Sequence, residues 1–340
     1  MKAYEVVRGT KDISGLRLVD RPDPDPKPGP HQVLVRIRAA SLNFRDLAVV
    51  QGVYPGPPAA GPVIPLSDGA GEVMAVGEGV TRFKPGDRVA PTFFQVWIEG
   101  KPRPSYALGA APVDGVLAQQ VVMHEDGLVA LPSWMSFEEG ASLACAAVTA
   151  WHGLFVAGNP VKAGDSVLVL GTGGVSMFAL QFARAAGARV IATSSHDEKL
   201  ERAKKHGATD VINYKKTPEW DKEVMRLTGG AGVDCVIEVG GSGTLARSMA
   251  SVGYGGKVSL IGVLTNAQGG DTSPHSLMFR GGSLHGIFVG NRVMFEDMLK
   301  AMTVNKIHPI IDKTYEFADA ASAYKYQMEG KHFGKVVIRV

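Results

Sequence analysis

Cysteine is almost absent: Cys145 and Cys235 are the only two in 340 residues. Two thiols exclude a disulfide framework and a four-thiolate zinc site. Net charge is only +3 and no basic run carries interleaved aromatics, so nothing marks a nucleic-acid partner. Long apolar runs are missing too. The N-terminal MKAYEVVRG lacks the apolar core of a secretory signal, and no segment is long and apolar enough to span a bilayer. These absences predict a cytoplasmic protein with neither a membrane nor a nucleic-acid partner.

Glycine is abundant, at 42 residues, which suits tight turns and close backbone approaches. At 340 residues the chain is long for one core, and two domains are expected. The first part reads as β-rich: apolar runs such as Gln32–Ile37 and Gly71–Val76 are bounded by Pro, Gly and Asp. The proline-dense Pro22–Pro30 reads as an extended surface connection. Ser136, with Glu139 three residues on, offers a capped helix start. From Ser166 strands and helices alternate: SVLVLG, a helix through Ala186, ARVIAT, a helix through His206, DVINY, DCVIEVG and KVSLIG. Apolar strands between amphipathic helices predict an α/β unit with a parallel sheet covered on both faces. The expected boundaries make 129–266 a Rossmann-type dinucleotide-binding domain, set inside a mostly β domain of residues 1–128 and 267–340.

Gly171-Thr172-Gly173-Gly174-Val175-Ser176 follows the strand Val167–Leu170 directly and opens a helix. Gly171 suits the tight turn, Gly173 lets backbone approach a pyrophosphate, and the helix start supplies free N–H groups. Ser176, third of the small positions, still permits close helix–strand packing. The next strand ends Ala192-Thr193-Ser194-Ser195-His196, with no acid before Asp197. An acid there would hold a ribose 2′-hydroxyl and repel a 2′-phosphate. Ser194 and Ser195 offer hydrogen bonds and Lys199 a charge, so NADP(H) is expected in preference to NAD(H). Against this, Asp197 and Glu198 stand close enough to neutralise Lys199 as an ordinary solvated helix residue.

With SLNFRDL (Ser41–Leu47), PLSDGAGEV (Pro65–Val73), FKPGDRV (Phe83–Val89), AAVTAW (Ala146–Trp151) and GTGGVS, the chain resembles the medium-chain dehydrogenase/reductase superfamily. It is nearest to the zinc-independent quinone oxidoreductase-like branch. The resemblance spans essentially the whole chain and implies a GroES-like catalytic domain beside the Rossmann one. Zinc alcohol dehydrogenases of the superfamily carry a Cys ligand where this chain has Asn43, and a His ligand where it has Ser67 before Asp68. The third ligand position matches Cys145. A catalytic zinc needs about three protein ligands, and neither Asn43 nor Ser67 competes for one, so no zinc is expected. The structural-zinc region around Gln95–Pro112 has no cysteine either. Cys145 then reads as a small buried residue.

The same resemblance implies further cofactor contacts. Thr149 matches a threonine against the nicotinamide, Ile261-Gly262-Val263 a strand end holding the carboxamide, and Phe288–Arg292 a second cofactor-facing segment. Lys199 and Tyr214 match contacts to a 2′-phosphate, and Lys331 lies near a basic position of similar use. Tyr214 is also read as a half-buried tyrosine at a strand end. Without a metal to polarise a carbonyl, a conjugated acceptor is the easier substrate, because its charge delocalises onto an oxygen that a few donors stabilise. Asn43, whose amide can donate to a substrate oxygen or to the nicotinamide ribose, Arg45 and Tyr54 are the catalytic candidates. Arg45–Asp46 reads first as an internal ion pair. His152 reads as packed or capped, and Phe93, Phe94 and Trp97 as a pocket wall or core. The expected activity is an NADPH-dependent reductase of quinones or α,β-unsaturated carbonyls acting on a small molecule. A zinc-independent alcohol or carbonyl dehydrogenase and a non-catalytic NADPH-binding protein are the alternatives. The Ser283–Val289 strand is a candidate sheet edge for a homodimer.

Overall fold

Alternating burial builds the strands of the first third of the chain. The computed structural model describes residues 1–7, 12–57, 61–103, 105–265 and 273–340. It places there β1 (Lys2–Val6), β2 (Leu16–Asp20), β3 (Gln32–Leu42), β4 (Asp68–Val76), β5 (Arg88–Pro91), β6 (Gln120–His124) and β7 (Leu128–Ala130). In β3, Val35, Ile37 and Ala39 are buried while Arg36 and Arg38 reach solvent, the two-residue period of a strand. From Ala39 to Leu42 every residue is buried. That end of the strand is covered on both faces, and it leads into the candidate site.

The alternating segment folds as read, with β8 (Ser166–Val169), β9 (Arg189–Ser194), β10 (Asp210–Asn213), β11 (Val233–Glu238) and β12 (Val252–Leu260), and the same sheet also takes β13 (Ser283–Gly286), which the expected boundary put in the other domain. All pair in parallel, in the order β10-β9-β8-β11-β12-β13. Helices Gly174–Ala185, Asp197–Lys205, Trp220–Leu227 and Leu245–Ser251 make the connections. Val167, Leu168, Val169, Val236 and Ile237 are wholly buried, as a sheet covered on both faces requires. Each such side chain contributes about 1.5–3 kcal/mol of burial. Strand order reverses between β8 and β11, and an open α/β sheet binds ligands at such a switch point. β13 lies at the sheet edge.

The chain then adds β14 (Ile311–Glu316) and β15 (Lys335–Arg339) to the first sheet, whose order is β14-β15-β3-β4-β5-β7. β6 pairs with the first half of β3, and β15 with its second half. Contacts divide the molecule into Met1–Val148 with Gly290–Val340, and Thr149–Val289. The first boundary therefore lies later than the expected 128/129. The capped helix Phe137–Gly140 explains the difference, because it packs on β3, β4 and β15. Its cap is as read: Ser136 Oγ accepts from Glu139 N at 3.1 Å, and Ser136 N donates to Glu139 Oε2 at 2.8 Å. The expected 266/267 boundary lies outside the described residues; the observed division falls after β13, which belongs to the parallel sheet.

One carboxylate fastens the β3–β6 end of the first unit. Glu125 is 5% exposed and accepts from the His31 ring at 2.8 Å and from the amides of Thr81 and Arg82 at 2.9 and 3.0 Å. Burial alone would raise its pKa, but these donors outweigh it and hold the carboxyl at about 2. A depressed carboxylate pKa contributes stability above its unfolded value of 4.5, lost as pH falls toward about 2. Glu125→Gln should thus cost about 1–3 kcal/mol at pH 7, with a penalty that shrinks between pH 4.5 and 2. Urea melts at several pH values test this; a penalty independent of pH would reject it.

Candidate active site and dinucleotide-binding turn

The turn after β8 has the geometry an anion needs. Gly171 takes φ +72°, a left-handed conformation that disfavours any side chain, and its N–H reaches Thr193 Oγ1 at 3.3 Å. Gly173 is the extended N-cap of the helix Gly174–Ala185, and no side chain among the described residues caps that helix. The first-turn N–H groups therefore remain for a ligand. Ser176 is buried and donates to Leu170 O at 2.6 Å, which seats the helix on the strand as glycine would. Thr172 is buried, while Gly174 and Val175 are partly exposed. This arrangement fits the pyrophosphate of a dinucleotide.

Ser194 ends β9, buried, and Ser195 follows, partly exposed. The register sets Asn213 opposite Ser194, and Tyr214 N donates to Ser194 O at 3.1 Å. Ser194, Ser195 and the half-exposed Tyr214 thus share one corner, with Lys199 in the helix that follows. Asp197 is spent elsewhere: Asn213 Nδ2 donates to it at 2.7 Å and Lys216 Nζ at 2.6 Å. Those bonds lower its pKa. Asn213 and Lys216, on either side of Tyr214, were not read as part of this corner, because their bonds to Asp197 span 16 and 19 residues.

At the far side of the switch point, Ile261 N and Gly262 N both donate to Glu238 O, at 2.9 and 3.0 Å. Val263 and Phe288 are exposed, and Thr149 is buried. The His152 ring bonds Val289 O at 2.7 Å, and burial lowers its pKa. It is a packed histidine.

In the other unit, Asn43 ends the buried stretch after β3 and begins the helix Phe44–Val50. Asp46 Oδ2 accepts from Asn43 N at 2.7 Å. Arg45 is 9% exposed; its Nη1 donates to Asp46 Oδ1 at 3.0 Å and to the carbonyls of Leu108 and Gly109 at 2.9 and 3.2 Å. Its guanidinium also stacks on Tyr54 and Phe93, at 4.4 and 5.4 Å from the ring centroids. Arg45–Asp46 is therefore the internal ion pair that was read first. Burial pushes the Asp46 carboxyl up to about 6, against the pull of Arg45. Burial also raises the Tyr54 pKa, so its hydroxyl keeps its proton at neutral pH. Phe93, Phe94 and Trp97 are buried core.

The neighbouring strand ends hold a lysine that was not anticipated. Lys335 is 2% exposed and donates to Leu42 O at 2.8 Å and Asn43 Oδ1 at 2.6 Å, with Asp68 Oδ2 3.5 Å away. Ser67 Oγ donates to Asp68 Oδ1 at 2.8 Å. Among the described residues, Asn43 Nδ2 and Asp68 Oδ2 have no hydrogen-bond partner. Lys331, the basic residue singled out at this end, is exposed and paired with Glu329 at 2.9 Å. Cys145 is partly exposed rather than buried, in the irregular helical stretch Leu143–Ala147 whose other four residues are buried. Enough protein still surrounds its sulfur to push the thiol pKa up, and Asp68 pushes it the same way. Among the described residues no three His, Cys, Asp or Glu side chains converge as a metal site, and no helix is long and apolar enough to cross a membrane.

Comparison with known proteins agrees with this architecture. Residues 29–133 match the model of the alcohol dehydrogenase GroES-like domain, and 174–304 that of zinc-binding dehydrogenases. A zinc-type alcohol dehydrogenase-like protein of Schizosaccharomyces pombe is 47% identical over 324 residues, 92% of each chain. Human quinone oxidoreductase is 27% identical over 92% of this chain and 90% of its own. A solved Sinorhizobium meliloti protein, provisionally called an alcohol dehydrogenase, is 38% identical, with TM-score 0.89 over the whole of both chains. The chain belongs to the medium-chain dehydrogenase/reductase superfamily and is an NAD(P)-dependent oxidoreductase.

Proposed function

We propose that this protein is a zinc-independent, NADP(H)-dependent reductase of quinones or α,β-unsaturated carbonyls. The observation that carries the reading is the Lys335 ammonium, set against Asn43 Oδ1 and 3.5 Å from Asp68, where metal ligands would be needed. A catalytic zinc needs about three protein ligands. Asn43 and Ser67 are poor ones, Asp68 already faces a cation, and the Cys145 thiol is held protonated. A divalent ion there would sit against a buried positive charge. This donor set does not fit zinc.

A site of this kind suits an acceptor whose negative charge spreads onto an oxygen held by preorganised donors. Bound NADPH would supply the hydride. Asn43 Nδ2, buried and without a partner among the described residues, is the first donor, and the protonated Tyr54 hydroxyl is the second. Arg45 secures the loop through its carbonyl contacts. Gly171–Val175 would seat the pyrophosphate, with Thr149, Ile261–Val263 and Phe288 at the nicotinamide end. Ser194, Ser195, Lys199 and Tyr214 would take a 2′-phosphate, since Asp197 is engaged by Lys216. The edge strand β13, with Leu284 exposed, supports a homodimer by strand pairing. Two free thiols, Cys145 and Cys235, agree with a reducing, cytoplasmic setting.

The test is oxidation of NADPH and NADH by a quinone, an enone and an aldehyde, with a secondary alcohol in the reverse direction, before and after chelation. We expect NADPH-driven reduction of the quinone or enone that chelation leaves unchanged. Loss on chelation that zinc restores would refute zinc independence. The name of the 47%-identical relative favours a second reading, alcohol dehydrogenase, which chelator-insensitive alcohol oxidation without enone reduction would select. Tight NADPH binding with no turnover would leave a binding protein. Light scattering that reads a monomer mass rejects the dimer.

A further inference from the structure

Three adjacent strand ends make the Lys335 cluster. In the order β15-β3-β4, the first residue of β15 is Lys335, the last of β3 is Leu42, and the first of β4 is Asp68. Val336 pairs with Leu42, and Ser41 with Asp68. The register therefore delivers an ammonium from the far end of the chain to the amide of Asn43. An ammonium has only donors. The Asn43 atom 2.6 Å from it must be the acceptor, Oδ1, which leaves Nδ2 as the free end. Among the described residues that free end has no hydrogen-bond partner, although Asn43 is only 8% exposed. A buried amide donor left unpaired is costly unless a ligand completes it.

We infer that Lys335 is a positioning residue: by holding Asn43 Oδ1 it makes Asn43 a hydrogen-bond donor to the substrate oxygen. The inference rests on the donor role proposed for Asn43. Asp68 keeps the lysine in place as its counter-ion. With Lys335 gone, nothing orients the amide, and half of its rotamers would present an oxygen to an oxygen.

A double-mutant cycle tests this. Lys335→Met, Asn43→Ala and their combination are assayed for NADPH oxidation with an enone, and their melting temperatures are measured. Lys335→Met should lower kcat about 10- to 100-fold, the scale of a misplaced catalytic contact, while KM for NADPH moves less than about 3-fold. The combination should be no worse than Asn43→Ala alone. Losses that multiply would mean Lys335 acts apart from Asn43, and would overturn the inference. Lys335→Met leaves Asp68 buried without a cation and risks misfolding, so Lys335→Met with Asp68→Asn is the second variant. It should fold and still show the kcat loss; wild-type kcat in that variant overturns the inference. A readout without turnover separates this from the proposed reaction. In the 15N-labelled, cofactor-free protein, the Asn43 side-chain amide signals should shift in the second variant, and unchanged signals reject the contact. Should the wild type reduce no acceptor at all, the proposed reaction fails while these signals still decide the role of Lys335.

Discussion

Gly262→Ala should lower stability by about 3 kcal/mol or more, at the upper end of overpacking costs. A Cβ at Gly262 would overlap the carbonyl oxygen and Cα of Val239. Both are backbone atoms and cannot rotate aside. Retreat is blocked as well, because Gly262 N is tied to Glu238 O at 3.0 Å. Glu238 is itself pinned: it is wholly buried, and its carboxylate accepts from Gly240 N, Gly241 N, Thr244 Oγ1 and Ser248 Oγ. For a unit of this size the cost corresponds to a melting shift of roughly 6–12 °C. The affinity for NADPH should fall with it, since this strand end is the proposed carboxamide support. A melting temperature within about 2 °C of wild type would show that the β11 and β12 ends part easily.

Ser195→Asp should reverse cofactor preference. Ser195 is partly exposed and follows the last residue of β9, so a carboxylate is accommodated there without burial. Like charges about 4 Å apart near a protein surface repel by up to about 4 kcal/mol, and an acid at this strand end also favours a free ribose 2′-hydroxyl. Allowing for solvent screening, kcat/KM for NADPH should fall about 100-fold while that for NADH holds or rises. High salt should shrink the difference. Equal losses with both cofactors would place the 2′-phosphate elsewhere and remove the reason for assigning Ser194, Ser195, Lys199 and Tyr214 to it. The engagement of Asp197 with Lys216 matters here, because an unpaired Asp197 would already oppose the phosphate.

The parallel sheet was legible because its determinants are local. Apolar strands separated by helical periodicity and punctuated by glycine announce a covered sheet, and the glycine turn lies on the strand–helix junction where its chemistry requires it. The capping box at Ser136 was read with its partner, since both residues fall within one turn. Arg45–Asp46 was read as an ion pair for the same reason. The domain boundaries were less legible. Residues 129–148 carry a helix signal, but only packing on β3, β4 and β15 assigns that helix to the first unit. Cys145 was expected buried and is partly exposed, although its four companions in the same helical stretch are buried.

Two lysines mark where reading along the chain stopped. Lys257 and Lys335 sit in strands as ordinary charged residues, and charge normally means solvent. Both are 2% exposed. Lys257 donates to the carbonyls of Leu154 and Ala157 at 3.0 and 2.6 Å, and Lys335 to Leu42 and Asn43. Their partners lie 100 to 293 residues away in sequence, so no window along the chain contains both ends of the bond. Hydrophobic period and turn chemistry were written in the sequence, since each depends on neighbours a few residues apart. Where the buried cations go, and which atom of Asn43 stays free, were decided by strand order and register, since a side chain's desolvation and its partner exist only once distant strands pair.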